Sequence, residues 1–270
     1  MGTPRYLRVK QMSMRTLLAA TSLALALQAA IPAAVAADPT GSNGPPAANP
    51  KGHYSQLNNL PDWGGVWTFN FRPLPGVTRE MPALKGKYLE SYQAWQKIAN
   101  ENHGEVPHNG SYCRPPGMPG IMMVGQYPIE FLFTPGRVST HHEAWMQMRT
   151  IWTDGRKHEA DWDPTFYGDS IGHWEGSTLV VDTVGIKTVT ELRNGMPHSE
   201  QLHVIEHIHL APNDPNTLID DMVAEDPLAL AKPWHTVLSY TRARDQELLE
   251  FVCAENDRNP VDAAGHTGLE

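Results

Sequence analysis

The chain has 270 residues, of which 40% are hydrophobic, 19% charged and 8% aromatic, with eight tryptophans and a formal net charge of −9. This composition excludes a disordered or collagen-like chain. Residues 1–37 hold four basic residues and no acid; without them 17 basic side chains face 30 acidic ones, a charge of −13 that excludes a nucleic-acid partner.

In chain order, Arg15 precedes an apolar run from Leu17 to Ala30 that is too short to span a bilayer comfortably. Pro32 and the small residues Ala34–Ala37 follow, and the three features together read as a secretory signal over 1–37, with Met14 as an internal start. No cysteine follows the run, so no lipoprotein or other stable membrane anchor is expected, and the predicted location is periplasmic or secreted. Residues 38–61, with five prolines, read as a flexible Pro/Gly-rich leader, and 62–270 as a single β-barrel-like domain. Export makes a disulfide between Cys113 and Cys253 feasible; two separate buried thiols are the alternative. Neither cysteine has a C-x-x-C or C-x-x-H neighbour, so a zinc knuckle is not supported.

Asp62–Phe71 reads as a strand opened by a Gly pair. Leu84, Tyr88, Tyr92, Trp95 and Ala99 recur at helical spacing, predicting one amphipathic helix over about Pro82–Asn102, stopped by His103-Gly104. A Gly/Pro loop around Cys113 is expected to cover one mouth of the fold. After Tyr127 the chain reads as short strands joined by tight turns, ending in Gln246–Cys253, about ten strands in all. The expectation is all-β: an antiparallel meander closed into a barrel or packed as a sandwich, with one helix against it.

Gly65-Val66-Trp67 at the first strand resembles the G-x-W signature of lipocalin-like barrels. A wider pattern is Thr153–His158 (TDGRKH), Gly168–Thr183 (GDSIGHWEGSTLVVDT), His198–His207 (HSEQLHVIEH), Asp226-Pro227 and Lys232-Pro233-Trp234. It resembles a widespread family of exported bacterial proteins, in which His207 stands where the pattern carries arginine. The resemblance implies export and the barrel, and no chemistry.

Gly168-Asp169-Ser170-Ile171-Gly172 matches the G-x-S-x-G of a nucleophile elbow, but that elbow needs a helix after it. Here a turn between β-branched runs follows, so a serine hydrolase is rejected. His203, His207 and His209 share one strand face, a solvated polar face or, alternatively, a metal site.

Register arithmetic is more informative. Pairing Leu210 with Asn216 across the turn APNDP puts Val204, Ile208, Leu218 and Met222 on one apolar face and sets Glu206 opposite Asp220 within it. Two opposed carboxylates in such a setting share a proton or need a cation. The earlier meander, with Phe133 opposite Val138 and Ala144 opposite Gln147, sets His142 opposite Ile129 and opposite Arg149, on the face of Phe131. The predicted site is therefore Glu206, Asp220, Arg149 and His142 as catalytic groups, with Phe131, Ile129 and Met222 contacting the ligand and no metal. A structural network, Arg149 with Glu206 or Asp220, is the competing account.

The sequence thus predicts an exported, cofactor-independent acid/base enzyme (isomerase, dehydratase or lyase) acting on a small hydrophobic or aromatic molecule in a barrel cavity. A periplasmic carrier without turnover and a His-ligated metal enzyme are the alternatives.

Overall fold

The computed structural model describes residues 57–103 and 113–253. The expected signal segment, its cleavage site near Ala37 and most of the leader lie outside them. Nine strands form a closed barrel: β1 Val66–Phe69, β2 Ile129–Thr134, β3 Arg137–His142, β4 Gln147–Trp152, β5 Asp169–Glu175, β6 Thr178–Val184, β7 His203–Ala211, β8 Asp214–Glu225 and β9 Trp234–Ala243. The all-β barrel with one helix is what the sequence predicts. Strand β9 pairs back onto β1, from Val66 with Ala243 to Phe69 with Tyr240, so no sheet edge is left open.

Three expectations need correction. The meander is not wholly antiparallel: β4 and β5 run parallel, with Ile151 beside Ser170, because the long connection between them carries the chain back before it re-enters the sheet. Gln246–Phe251 is not a tenth strand, since β1 already occupies the edge of β9. Instead the Leu249 backbone N–H donates to Glu143 (2.7 Å), Phe251 packs on Tyr127 and Trp145, and Cys253 forms a disulfide with Cys113. The helix α1, Gly86–Glu101, starts later than its periodicity suggests. The backbone of Ala83 and Lys85 is already hydrogen-bonded to Ala231 and Ala229, so helix geometry begins only beyond it. His103 takes the left-handed conformation that ends the helix (φ 55°).

Two registers also differ, each by two residues. Leu210 pairs with Leu218 and Glu206 with Met222, because Ala211 pairs with Asp214 across a tight turn and a bulge follows. Glu206 and Asp220 are therefore not directly opposed. Likewise His142 pairs with Gln147, and Arg149 with Thr140, because residues 143–146 form a longer connection than a two-residue turn. Side chains alternate with period two, so a slip of two keeps every residue on its predicted face. The pairs Phe133–Val138, Phe131–Thr140 and Ile129–His142 stand as predicted.

The apolar faces converge on one core. Trp67, Ile129, Phe131, Val138, Ile151, Leu179, Val181, Val204, Ile208, Leu218, Met222 and Leu238 are all buried in it. From the Gly/Pro loop, Met118, Ile121 and Met122 join the same core, and the Tyr240 hydroxyl donates to the Met122 carbonyl (2.7 Å). Among the described residues no helix is long and apolar enough to cross a membrane.

Candidate functional site

All seven predicted site residues are buried, and they divide into two groups. Arg149 on β4 reaches across the barrel to Glu206 on β7. Nη1 donates to Glu206 Oε1 (3.0 Å) and Nη2 to Oε2, while Nε donates to Ser170 (3.0 Å) and Nη2 also to Thr183 (2.8 Å). The side chains of Arg149 and Glu206 are 1% and 0% exposed. A buried charge of either sign needs such a partner, and the planar guanidinium meets the carboxylate with two parallel bonds. Of the two partners the sequence offers Arg149, the fold selects Glu206. Ser170, the serine of the G-x-S-x-G match, is thereby a buried partner of Arg149 and Thr183 inside a strand.

Asp220 is left over. It is fully buried, and neither carboxylate oxygen has a hydrogen-bond partner among the described residues. Burial, and then the charge of Glu206, push its pKa well above the usual carboxylate range, with Arg149 pulling the other way. Across β9 it faces Leu238, with Thr236 and Tyr240 on the same face to either side. Among the described residues the Thr236 hydroxyl also has no hydrogen-bond partner. Burial and the nearby carboxylates Asp220 and Glu206 raise the Tyr240 phenol, which stays neutral as a donor to Met122.

His142 shares a bond with Thr140 Oγ1 (Nε2 to Oγ1, 2.8 Å). Burial, then the charges of Arg149 and His141, lower it to about 3, so the imidazole is neutral near neutral pH. Ile129 is its cross-strand neighbour, and Met222 is that of Glu206. Phe131 lies against Trp63 edge to face, with centroids 5.1 Å apart. Trp63 also contacts Phe133 and Trp174, so these rings fill the β2–β3 hairpin end of the barrel.

The sequence reading missed Arg242, although it shares the parity of Leu238 and Tyr240 on β9. Arg242 lies over the Trp67 ring (4.4 Å) and donates to the Asp62 carbonyl through Nη2 (2.6 Å). It also missed an imidazole–carboxylate chain on the outer face. His158 sits between Asp169 (2.7 Å) and Asp182 (3.2 Å), and His203 meets the same Asp182 oxygen (2.8 Å). No local signal joins His158 to these strands, because it lies in the long β4–β5 connection. Among the described residues, no group of three or more His, Cys, Asp or Glu side chains is arranged to hold a metal ion.

Comparison with protein families, with curated proteins and with solved structures finds no match to this chain.

Proposed function

We propose that this chain is an exported acid/base enzyme, an isomerase, dehydratase or lyase, acting on a small hydrophobic or aromatic molecule, with Asp220 as its proton-transfer group. The observation that carries this reading is the unequal state of the two buried carboxylates. Glu206 is fully engaged by Arg149, whereas Asp220 has both oxygens unpartnered and a raised pKa. A carboxyl whose pKa is raised keeps its proton to higher pH than a free one, so it can give a proton to a substrate and take one back, the property such chemistry requires. Arg149 acts as a fixed positive charge rather than a direct ligand, since four of its five N–H donors are occupied; neutral His142 is the relay. The aromatic end formed by Trp63, Phe131, Phe133 and Trp174 gives an apolar substrate its way in when the rings part. Export is supported by the disulfide, a bond kept in oxidising compartments, together with the charged, apolar and small-residue order of the first 37 residues.

Asp220→Asn tests the reading. A panel of small aromatic and alicyclic compounds is followed by NMR for isomerisation or elimination. Turnover is expected in the wild type and a loss of about 10²–10⁴-fold in the variant with the fold retained. Ligand binding without turnover in the wild type overturns the enzyme in favour of the carrier, which the open cavity beside Phe133 and Trp174 favours.

A further inference from the structure

Among the described residues, one space that a ligand can occupy lies on the outer side of the aromatic plug. A cavity of about 240 Å³ opens beside the β2–β3 hairpin, walled by Leu57, Leu60, Phe133, Val138 and Trp174 and rimmed by Thr134, Arg137 and Thr153. That volume is below the roughly 300–1,000 Å³ of drug-sized sites, so it suits one ring with a short substituent. Phe133 and Trp174 meet at 5.5 Å between centroids with planes 72° apart, and Trp63 backs both of them. Each is only partly buried, so each keeps ring surface for a ligand.

Arg137 decides the chemistry of that ligand. Its Nε donates to Thr134 Oγ1 (3.1 Å), and among the described residues no carboxylate pairs with its guanidinium. In a chain with 30 acidic residues this is notable, and the nearby acid is already engaged: Asp154 takes three bonds from the Arg156 side chain. The Nη1 and Nη2 donors of Arg137 therefore remain available at the rim of an apolar, aromatic hollow. A planar carboxylate is the anion whose two oxygens match that fork.

We propose that this cavity binds a small aromatic carboxylate, its ring against Phe133 and Trp174 and its carboxylate on Arg137. The proposal names the substrate class for the enzyme reading above and rests on it: the cavity is the recognition site in front of the rings, and the substrate passes them to reach Asp220, which does not line it. Titration calorimetry of the full-length protein as exported, with 3-phenylpropanoate and its neutral amide as probes, provides the test. The acid is expected to bind one to one, about tenfold or more tighter than the amide. Arg137→Gln should bring the acid down to the amide's affinity and leave the amide unchanged. Trp174→Ala should weaken both. Asp220→Asn should change neither, which separates this site from the proton-transfer role: a loss of turnover with binding intact speaks to Asp220 alone. No saturable binding by either probe, equal affinity for acid and amide in the wild type, or a preference that survives Arg137→Gln overturns the proposal.

Discussion

Glu206 and Asp220 lie on the same buried face of adjacent strands, yet their substitutions should give opposite results. Glu206→Gln leaves the Arg149 guanidinium without its anion in a site of almost no exposure, and a loss of roughly 3–5 kcal/mol in urea denaturation is expected. Asp220→Asn removes no hydrogen bond among the described residues and takes away a carboxyl whose ionisation burial disfavours, so little or no loss is expected at neutral pH. Of the buried titrating groups, Asp220 and His142 pull the pH dependence in opposite directions. Above about pH 4 the unfolded chain releases the Asp220 proton that the folded chain retains, so stability falls as pH rises towards the raised folded value. The folded His142 ionises only near 3, against 6.5 for a free imidazole, so between those limits the unfolded chain holds the extra proton and stability rises with pH. Across the whole window the His142 contribution is on the order of 5 kcal/mol. Relative to the wild type, Asp220→Asn should therefore steepen the rise from pH 3 to 6.5, and His142→Gln should tilt the profile downward from about pH 4, against the rise that the buried His198 still supplies. Denaturation midpoints measured across that range check both; an unchanged profile in either variant would mean that the group does not titrate differently on folding.

At the scale of the elements, what the sequence discloses is face, and what it withholds is register. The alternation in β7 and β8 puts Glu206 and Asp220 inside whichever way the hairpin slips by two, so the interior polar set was legible from a wrong pairing. The bulge between Leu210 and Ala211 and the four-residue link 143–146 are backbone events, and no hydrophobic pattern records them. Which strand closes the barrel was equally hidden: nothing in Gln246–Cys253 says that β1 has already taken the edge it would need. The G-x-S-x-G match shows how an element reinterprets a motif. A Cβ on Gly172 would stand 2.8 Å from Ile151 Cγ2, 3.2 Å from the Val180 carbonyl and 3.3 Å from Leu179 Cδ1. Gly168, at φ 69°, would place one 2.4 Å from the Val184 carbonyl. Both glycines serve the packing of β5 on its neighbours, and no nucleophile is presented. Gly172→Ala should accordingly cost about 1–3 kcal/mol through overpacking, with an unchanged far-UV spectrum. A neutral effect on the melting temperature would show that β4 and β6 can part to admit a methyl group.

For the molecule as a whole, the barrel closes by backbone pairing alone, and one covalent bond joins the loop before β2 to the segment after β9. Cys113 lies in the Gly/Pro loop that feeds Met118, Ile121 and Met122 into the core, and Cys253 ends the segment that follows the last strand. The bond spans 140 residues and encloses every strand from β2 to β9. A cross-link around so long a stretch acts chiefly on the unfolded chain, and the loop-entropy account gives a stabilisation of about 5 kcal/mol. The strands do not depend on it, because β9 pairs with β1 and not with the segment that carries Cys253. The double substitution Cys113→Ser, Cys253→Ser should therefore keep the β-rich far-UV spectrum. It should lower the melting temperature by about 10–20 °C, at roughly 2–4 °C per kcal/mol for a domain of this size. Intact mass before and after reduction establishes whether the bond is present in the protein being melted. With the bond present, a melting temperature that moves by less than about 2 °C on its removal would mean the unfolded chain is already held together without it, and the entropic account would fail.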